Sequence, residues 1–102
     1  MIQKETLFLI LKGKWYRQIA AGTKNIEYRE FNEFWFKRLA GKKFSFVLFQ
    51  LGYASTAPRM IIPIIKIDVG KEPNGKTDYF RIHLKVNGTK HLVVAPRKTE
   101  NQ

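Results

Sequence analysis

Lys24, Glu27, Arg29 and Glu30 fall within seven residues, inside Gly22-Thr23-Lys24-Asn25-Ile26-Glu27-Tyr28-Arg29-Glu30. A lysine beside a glutamate and an arginine has two chemical uses. As a binding set, Lys24 and Arg29 grip a phosphate, Arg29 through a bidentate fork. Glu27 then orients the arginine or accepts a base amino group. As a catalytic set, Lys24 serves as base or nucleophile once burial, or cationic neighbours such as Lys12, Lys14 or Arg29, lower its pKa. Glu27 would then activate water. A structural reading stands beside both: Glu27 and Arg29, two apart on one strand face, form an ion pair worth under about 1 kcal/mol when exposed.

Other residues carry weaker signals. Tyr53 sits in the small-residue loop Gly52-Tyr53-Ala54-Ser55-Thr56-Ala57-Pro58. There it either stacks on a base, worth ~1–3 kcal/mol in single-strand binders, or anchors the loop. Arg59 follows that loop and adds a cation to the candidate ligand-binding set of Lys12, Lys14, Lys24, Glu27, Arg29 and Tyr53. Tyr79, Arg81, His83 and Lys85 form an outward row, read as a nucleic-acid surface or as a solvated sheet face. His83 and His91 fall in near-register positions across Asn87-Gly88, with no Cys in the chain and no third ligand close by. No metal or cofactor site is expected. Ser45 and Ser55 lack a nucleophile-elbow context, and no Gly-rich phosphate loop is present.

The elements that must position these residues read as follows. Thr6 to Leu11 is a short apolar run bounded by charge, expected as a buried strand. Lys14 to Ala21 is expected as a two-turn helix with Trp15 and Ile19 on its apolar stripe and Gly22 as its stop. Thr23 to Arg29 reads as a strand with Ile26 and Tyr28 on one face, Glu27 and Arg29 on the other. Asn32 to Ala40 reads as a second helix, with Asn32 as N-cap, Glu33 in the first turn, and Lys37 and Arg38 in the last. Phe31, Trp35 and Leu39 share its stripe, so these aromatics, like Trp15, Phe34 and most of the Phe44–Phe49 set, are expected in the core. Phe44 to Leu51 is a central strand, and Arg59 to Val69 a long one whose Pro63 requires an edge or a bulge. Asp78 to Val86 alternates cleanly. Asn87-Gly88 then predicts a hairpin turn into a last strand, Lys90 to Ala95, before a polar tail, 96–102.

Five or six strands with two short helices, and no regular strand–helix alternation, predict an α+β domain. Its sheet is expected to be a small, mostly antiparallel β-barrel with the helices packed at its ends. At 102 residues the chain reads as one domain, and its 44% hydrophobic content supplies a core. The early apolar run is too short for a signal peptide, and Met60 to Ile67, broken by Pro63 and Lys66, is too short for a membrane span. A cytoplasmic protein with no membrane partner is expected. Nineteen Lys and Arg against eight Asp and Glu give a net charge of +11. Such a field favours polyanions, although lysines also simply solubilise small domains.

The pattern Gly22-x-Lys24-x-x-Glu27-x-Arg29, after a Trp-containing helix that follows an N-terminal strand, resembles the signature of ASCH domains, small barrels related to the PUA RNA-binding domain. Trp35, Arg38-Leu39, the Phe-rich strand, Gly52-Tyr53 and Pro58-Arg59 before an Ile-rich strand extend the resemblance from about Leu7 to Val69, and more weakly to Val86. It implies a barrel with a cleft beside the first helix, and RNA, a nucleotide or a modified nucleoside as ligand. Some bacterial members resembling this architecture remove the acetyl group of N4-acetylcytidine, and a related one is a ribonuclease. The amidohydrolases use the Lys of the Gly-x-Lys motif, a Thr three residues later and a distant Glu. Lys24 matches the first; Glu27 stands where the Thr would be; Asp68 and Glu72 are rough counterparts of the distant Glu. Three readings therefore stand: a nucleotide-binding module, a small hydrolase with Lys24 and Glu27 as its pair, and a domain that binds an acidic protein.

Overall fold

The computed structural model describes residues 5–92. In chain order the elements are β1 (Thr6–Leu11), α1 (Gly13–Ala20), β2 (Ile26–Glu30), α2 (Glu33–Leu39), β3 (Phe46–Leu51), β4 (Arg59–Lys71), β5 (Asp78–Leu84) and β6 (Lys90–Leu92). The fold is α+β, with one curled, mostly antiparallel sheet in the order β1-β3-β4-β5-β2 and β6 added on β4. β1 and β2 are thus the two ends of the curl. Among the described residues no helix is long and apolar enough to cross a membrane.

β1 alternates: Leu7, Leu9 and Leu11 are buried, while Thr6, Phe8 and Ile10 are half-buried. Its pairing with β3 is the parallel one, Thr6 facing Phe46 through Leu11 facing Leu51. A parallel pair needs a long crossover, and α1, β2 and α2 supply it. β3 is central, as expected, with Val47 to Gln50 all buried.

β4 serves different partners along its length. Arg59–Pro63 pair with β3, Arg59–Ile61 also with β6, and Ile64–Lys71 with β5. Pro63 lies in the gap between the β6 and β5 registers, next to the bulge at Ile64–Lys66. A residue without an N–H fits there because no strand asks it for a donor.

β5 keeps the expected alternation, with Phe80, Ile82 and Leu84 buried and Tyr79, Arg81 and His83 half-exposed. The expected hairpin does not form. Val86–Gly88 tighten into a 3-10 turn closed by Gly88 N–H to Lys85 O and Thr89 N–H to Val86 O. β6 then pairs with β4, placing Lys90 beside Ile61, rather than returning along β5. The otherwise unpaired edge of Arg59–Ile61 outweighs the local preference of Asn-Gly. His91 therefore registers with Met60, and His83 with Lys66 and Ile26. Residues 93–95 of the expected last strand, and the expected tail, lie outside the described residues.

α1 ends where Gly22 takes φ 82°, a conformation that suits glycine. Its buried stripe is Tyr16 and Ile19. Trp15, one residue and about 100° away round the helix, is 39% exposed. α2 starts as expected, with the Asn32 side chain accepting from Trp35 N–H at 2.9 Å. Only Leu39 is fully buried on it; Phe34 and Phe36 are more than half exposed, and so is Phe31 just before it. Phe31 and Phe34, with Trp15 and Phe46, are not core as expected. The core is instead Leu7, Leu9, Leu11, Val47, Phe49, Met60, Ile62, Phe80, Ile82 and Leu84 from the sheet, closed by Tyr16, Ile19 and Leu39. Burying each large apolar side chain contributes about 1.5–3 kcal/mol.

Candidate nucleotide-binding cleft

β2 positions the charged pair. Across the β2–β5 ladder Glu27 faces Ile82 and Arg29 faces Phe80, both buried residues. Glu27 and Arg29 therefore point to the concave side of the sheet, at its open end. Glu27 is 6% exposed. Its Oε2 accepts from Arg29 Nε at 3.0 Å, with Arg29 Nη2 at 2.9 Å from the same oxygen. Lys24, in the turn before β2, brings its Nζ to 3.8 Å from Glu27 Oε1. Burial pushes the Glu27 carboxyl above its usual range, against the pull of Arg29 and Lys24.

Two arginines reach over to the free edge of β1. Arg29 Nη2 donates to Ile10 O at 3.3 Å, and Arg38 Nη2 to Phe8 O at 3.4 Å. Both carbonyls lie on the edge that no strand pairs among the described residues. The guanidinium of Arg29 is 5.0 Å, and that of Arg38 5.3 Å, from the ring centre of Trp35, so Trp35 takes two cations. Trp15 likewise takes Lys14 at 4.8 Å and Lys24 at 5.1 Å, and Lys24 also stands 5.1 Å from the Tyr28 ring.

Between the two end strands lies a cleft of about 610 Å³, within the range of small-molecule sites. Glu27 and Arg29 line it with Lys12 and Glu30, and Trp15, Tyr28, Trp35, Tyr53 and Tyr79 form its aromatic walls. A side pocket of about 340 Å³ shares Trp15, Glu27 and Tyr28 with it and adds Lys24 and Glu72. Glu72, far away in sequence, is thus brought to the Lys24–Glu27 pair. Asp68 is not: on the outer face, its two oxygens take Arg81 at 2.9 and 3.1 Å and Oδ1 meets His83 Nε2 at 3.0 Å. The Arg81 hydrogen bonds, with His83 adding, hold the Asp68 carboxyl down at about 2.

Of the residues singled out from sequence, Lys12, Lys24, Glu27, Arg29 and Tyr53 gather around this connected space. Lys14 is one step removed, over Trp15. Arg59 is elsewhere, and its Nε donates to Gln50 Oε1 at 2.9 Å. Buried Gln50 in turn donates to Gly52 O at 2.8 Å and Ala54 O at 3.3 Å. Arg59 therefore braces the loop that presents Tyr53, which is 87% exposed. Sequence reasoning placed Trp15 and Trp35 in the core and gave Arg38 only a helix-end role. A signal existed: Phe34, Trp35 and Arg38, spaced three and four apart, put an arginine on an aromatic face of one helix. Among the described residues no three His, Asp or Glu side chains gather as metal donors.

The arrangement offers flat aromatic faces for a base, cations for a phosphate and a buried carboxylate as acceptor for a base amino group. No protein-family model matches the chain, and no curated protein or solved structure does either.

Proposed function

We propose that the chain is an RNA- or nucleotide-binding module of the ASCH type, a PUA-like barrel acting in the cytoplasm. The observation that carries this reading is the placement of Glu27 and Arg29 in an aromatic-walled cleft of nucleotide size, with Lys24 beside Glu27 in the adjoining pocket. The base stacks against the tyrosines and tryptophans, and Glu27 accepts from an exocyclic amino group. Arg29 is held in place by Glu27 and by Ile10 O, which fixes its plane for stacking. A panel of nucleosides, nucleotides and short RNAs, titrated by fluorescence, tests it. Wild type binds at least one nucleotide, and Lys24→Ala weakens that binding about tenfold or more, as loss of a charge-assisted contact requires. Equal binding by both proteins overturns the reading.

One observation supports a second reading, hydrolysis of an acylated nucleoside such as N4-acetylcytidine: Glu72 joins Lys24 and Glu27 around one pocket. A Glu27 carboxyl raised by burial is better matched to proton transfer near neutral pH than an ordinary one. Water would add to the acetyl carbonyl, and acetate and cytidine would leave. Chromatography of N4-acetylcytidine incubations decides this. Cytidine that disappears with Glu72→Gln supports hydrolysis, and its absence with wild type removes it.

A further inference from the structure

The cleft does not end at Trp35. A second pocket of about 260 Å³ shares Ile10, Arg29, Trp35 and Tyr53 with it and adds Phe8, Leu9, Phe34 and Arg38. Two features of this pocket leave groups free for a ligand. Phe34 is 58% exposed, its ring edge-on to Trp35 at 5.0 Å. Arg38 is half-buried, makes no ion pair among the described residues, and uses its guanidinium for one long hydrogen bond to Phe8 O. Arg29, by contrast, has Glu27 as its counter-ion. A partly desolvated arginine lying over Phe34 and Trp35 at 5.8 and 5.3 Å, with most of its donors uncommitted, is built to receive an anion.

We infer that this pocket is the subsite for a second nucleotide, so that the ligand is single-stranded nucleic acid rather than a lone nucleotide. The inference rests on the reading of the neighbouring cleft as a nucleotide site. Arg38 takes the phosphodiester that joins the two nucleotides. Phe34, with Tyr53 in the same lining, stacks the second base. Trp35 stands at the junction and touches both units. Duplexes are excluded on this view, because a base must leave its stack to enter either pocket. The chemistry separates this from a general basic surface: the anion contact is one planar guanidinium flanked by rings, at a fixed step from Arg29.

The test is displacement of a fluorescein-labelled RNA hexamer of mixed sequence from the full chain by unlabelled mono-, di- and trinucleotides. Wild type should prefer di- and trinucleotides over the 5′-monophosphate by about tenfold or more, the size of one stacked base. Phe34→Ala should erase that preference and leave mononucleotide affinity within about twofold, and Arg38→Gln should erase the preference as well. Arg38 also covers the edge of β1, so circular dichroism must first show that Arg38→Gln folds. Should it fail, Phe34→Ala and Arg38→Lys carry the test, because a lysine keeps the charge but not the fork. Equal competition by mono- and dinucleotides overturns the second subsite and leaves the first standing. A preference that survives Phe34→Ala also overturns it. No binding of hexamer or mononucleotide overturns both readings together.

Discussion

Glu27 and Asp68 are both carboxylates beside an arginine, yet their surroundings move them in opposite directions, and stability should record it. Glu27 is raised above its ordinary 4.5 because burial outweighs Arg29 and Lys24. The folded state then holds its proton more tightly than the unfolded chain. Its contribution to stability is full below pH 4.5 and is lost as pH rises through the folded value. Asp68 is lowered from 3.8 to about 2 by Arg81 and His83. Its contribution is present above pH 3.8 and lost as pH falls towards 2. Because its side chain is 31% exposed, solvent screening holds this to on the order of 1 kcal/mol. Denaturant midpoints measured from pH 2 to 8 should therefore show that Asp68→Asn removes a rise at the acid end. Glu27→Gln should remove a fall above pH 4.5. A Glu27→Gln profile parallel to wild type above pH 4.5 would show that burial does not control that carboxyl. Gly70→Ala offers a check on Asp68 by packing alone, since a Cβ there would intrude on the Arg81 guanidinium.

At the scale of elements, α2 carries the most function on the least structure. It is seven residues long, holds one fully buried side chain, and presents Trp35, Phe34 and Arg38 to the two pockets. Its N-terminus depends on Asn32. Asn32→Ala should lower stability by about 1 kcal/mol in equilibrium denaturation, while Asn32→Ser, which keeps an acceptor and sets no carboxylate against Glu30 Oε1, should stay near wild type. If Ser and Ala behave alike, the cap is not what holds the helix. The start of α2 was legible in the sequence because capping is local. Which of its faces meets the core was not, because spacing of four in Phe31, Trp35 and Leu39 fixes a stripe but not the width of sheet available to cover it. Trp15 misled for the same reason: Tyr16 took the core position. Asn87-Gly88 misled differently, because a local turn preference met a vacant edge on β4. The Lys24–Arg29 cluster was legible because its members are neighbours in the chain. The walls supplied by Ile10, Trp15 and Trp35 were not, since they converge only when the β1–β3 crossover and the curl of the sheet bring both ends together.

For the molecule as a whole, the net charge of +11 and the clefts make different claims about binding. A diffuse basic field engages many phosphates, and single-strand binding then falls with salt at a log–log slope of about −0.7 for each. The clefts limit the count. Glu27 occupies Arg29 at 2.9 Å, while Lys24 stands 3.8 Å from that carboxylate and Arg38 has no ion-pair partner among the described residues, so Lys24 and Arg38 are the two cations counted as meeting phosphate. Two phosphate contacts give a slope near about −1.4, and Arg38→Gln should reduce it by about 0.7 while leaving the rest. Hexamer titrations at stepped potassium chloride read both values. A slope several times larger that ignores Arg38→Gln would assign binding to the general field, with the clefts as bystanders. A flat line would remove phosphate recognition altogether. The intermediate slope, shifted by a single side chain, is the result that only a built site produces, because a field of nineteen cations loses almost nothing when one is neutralised.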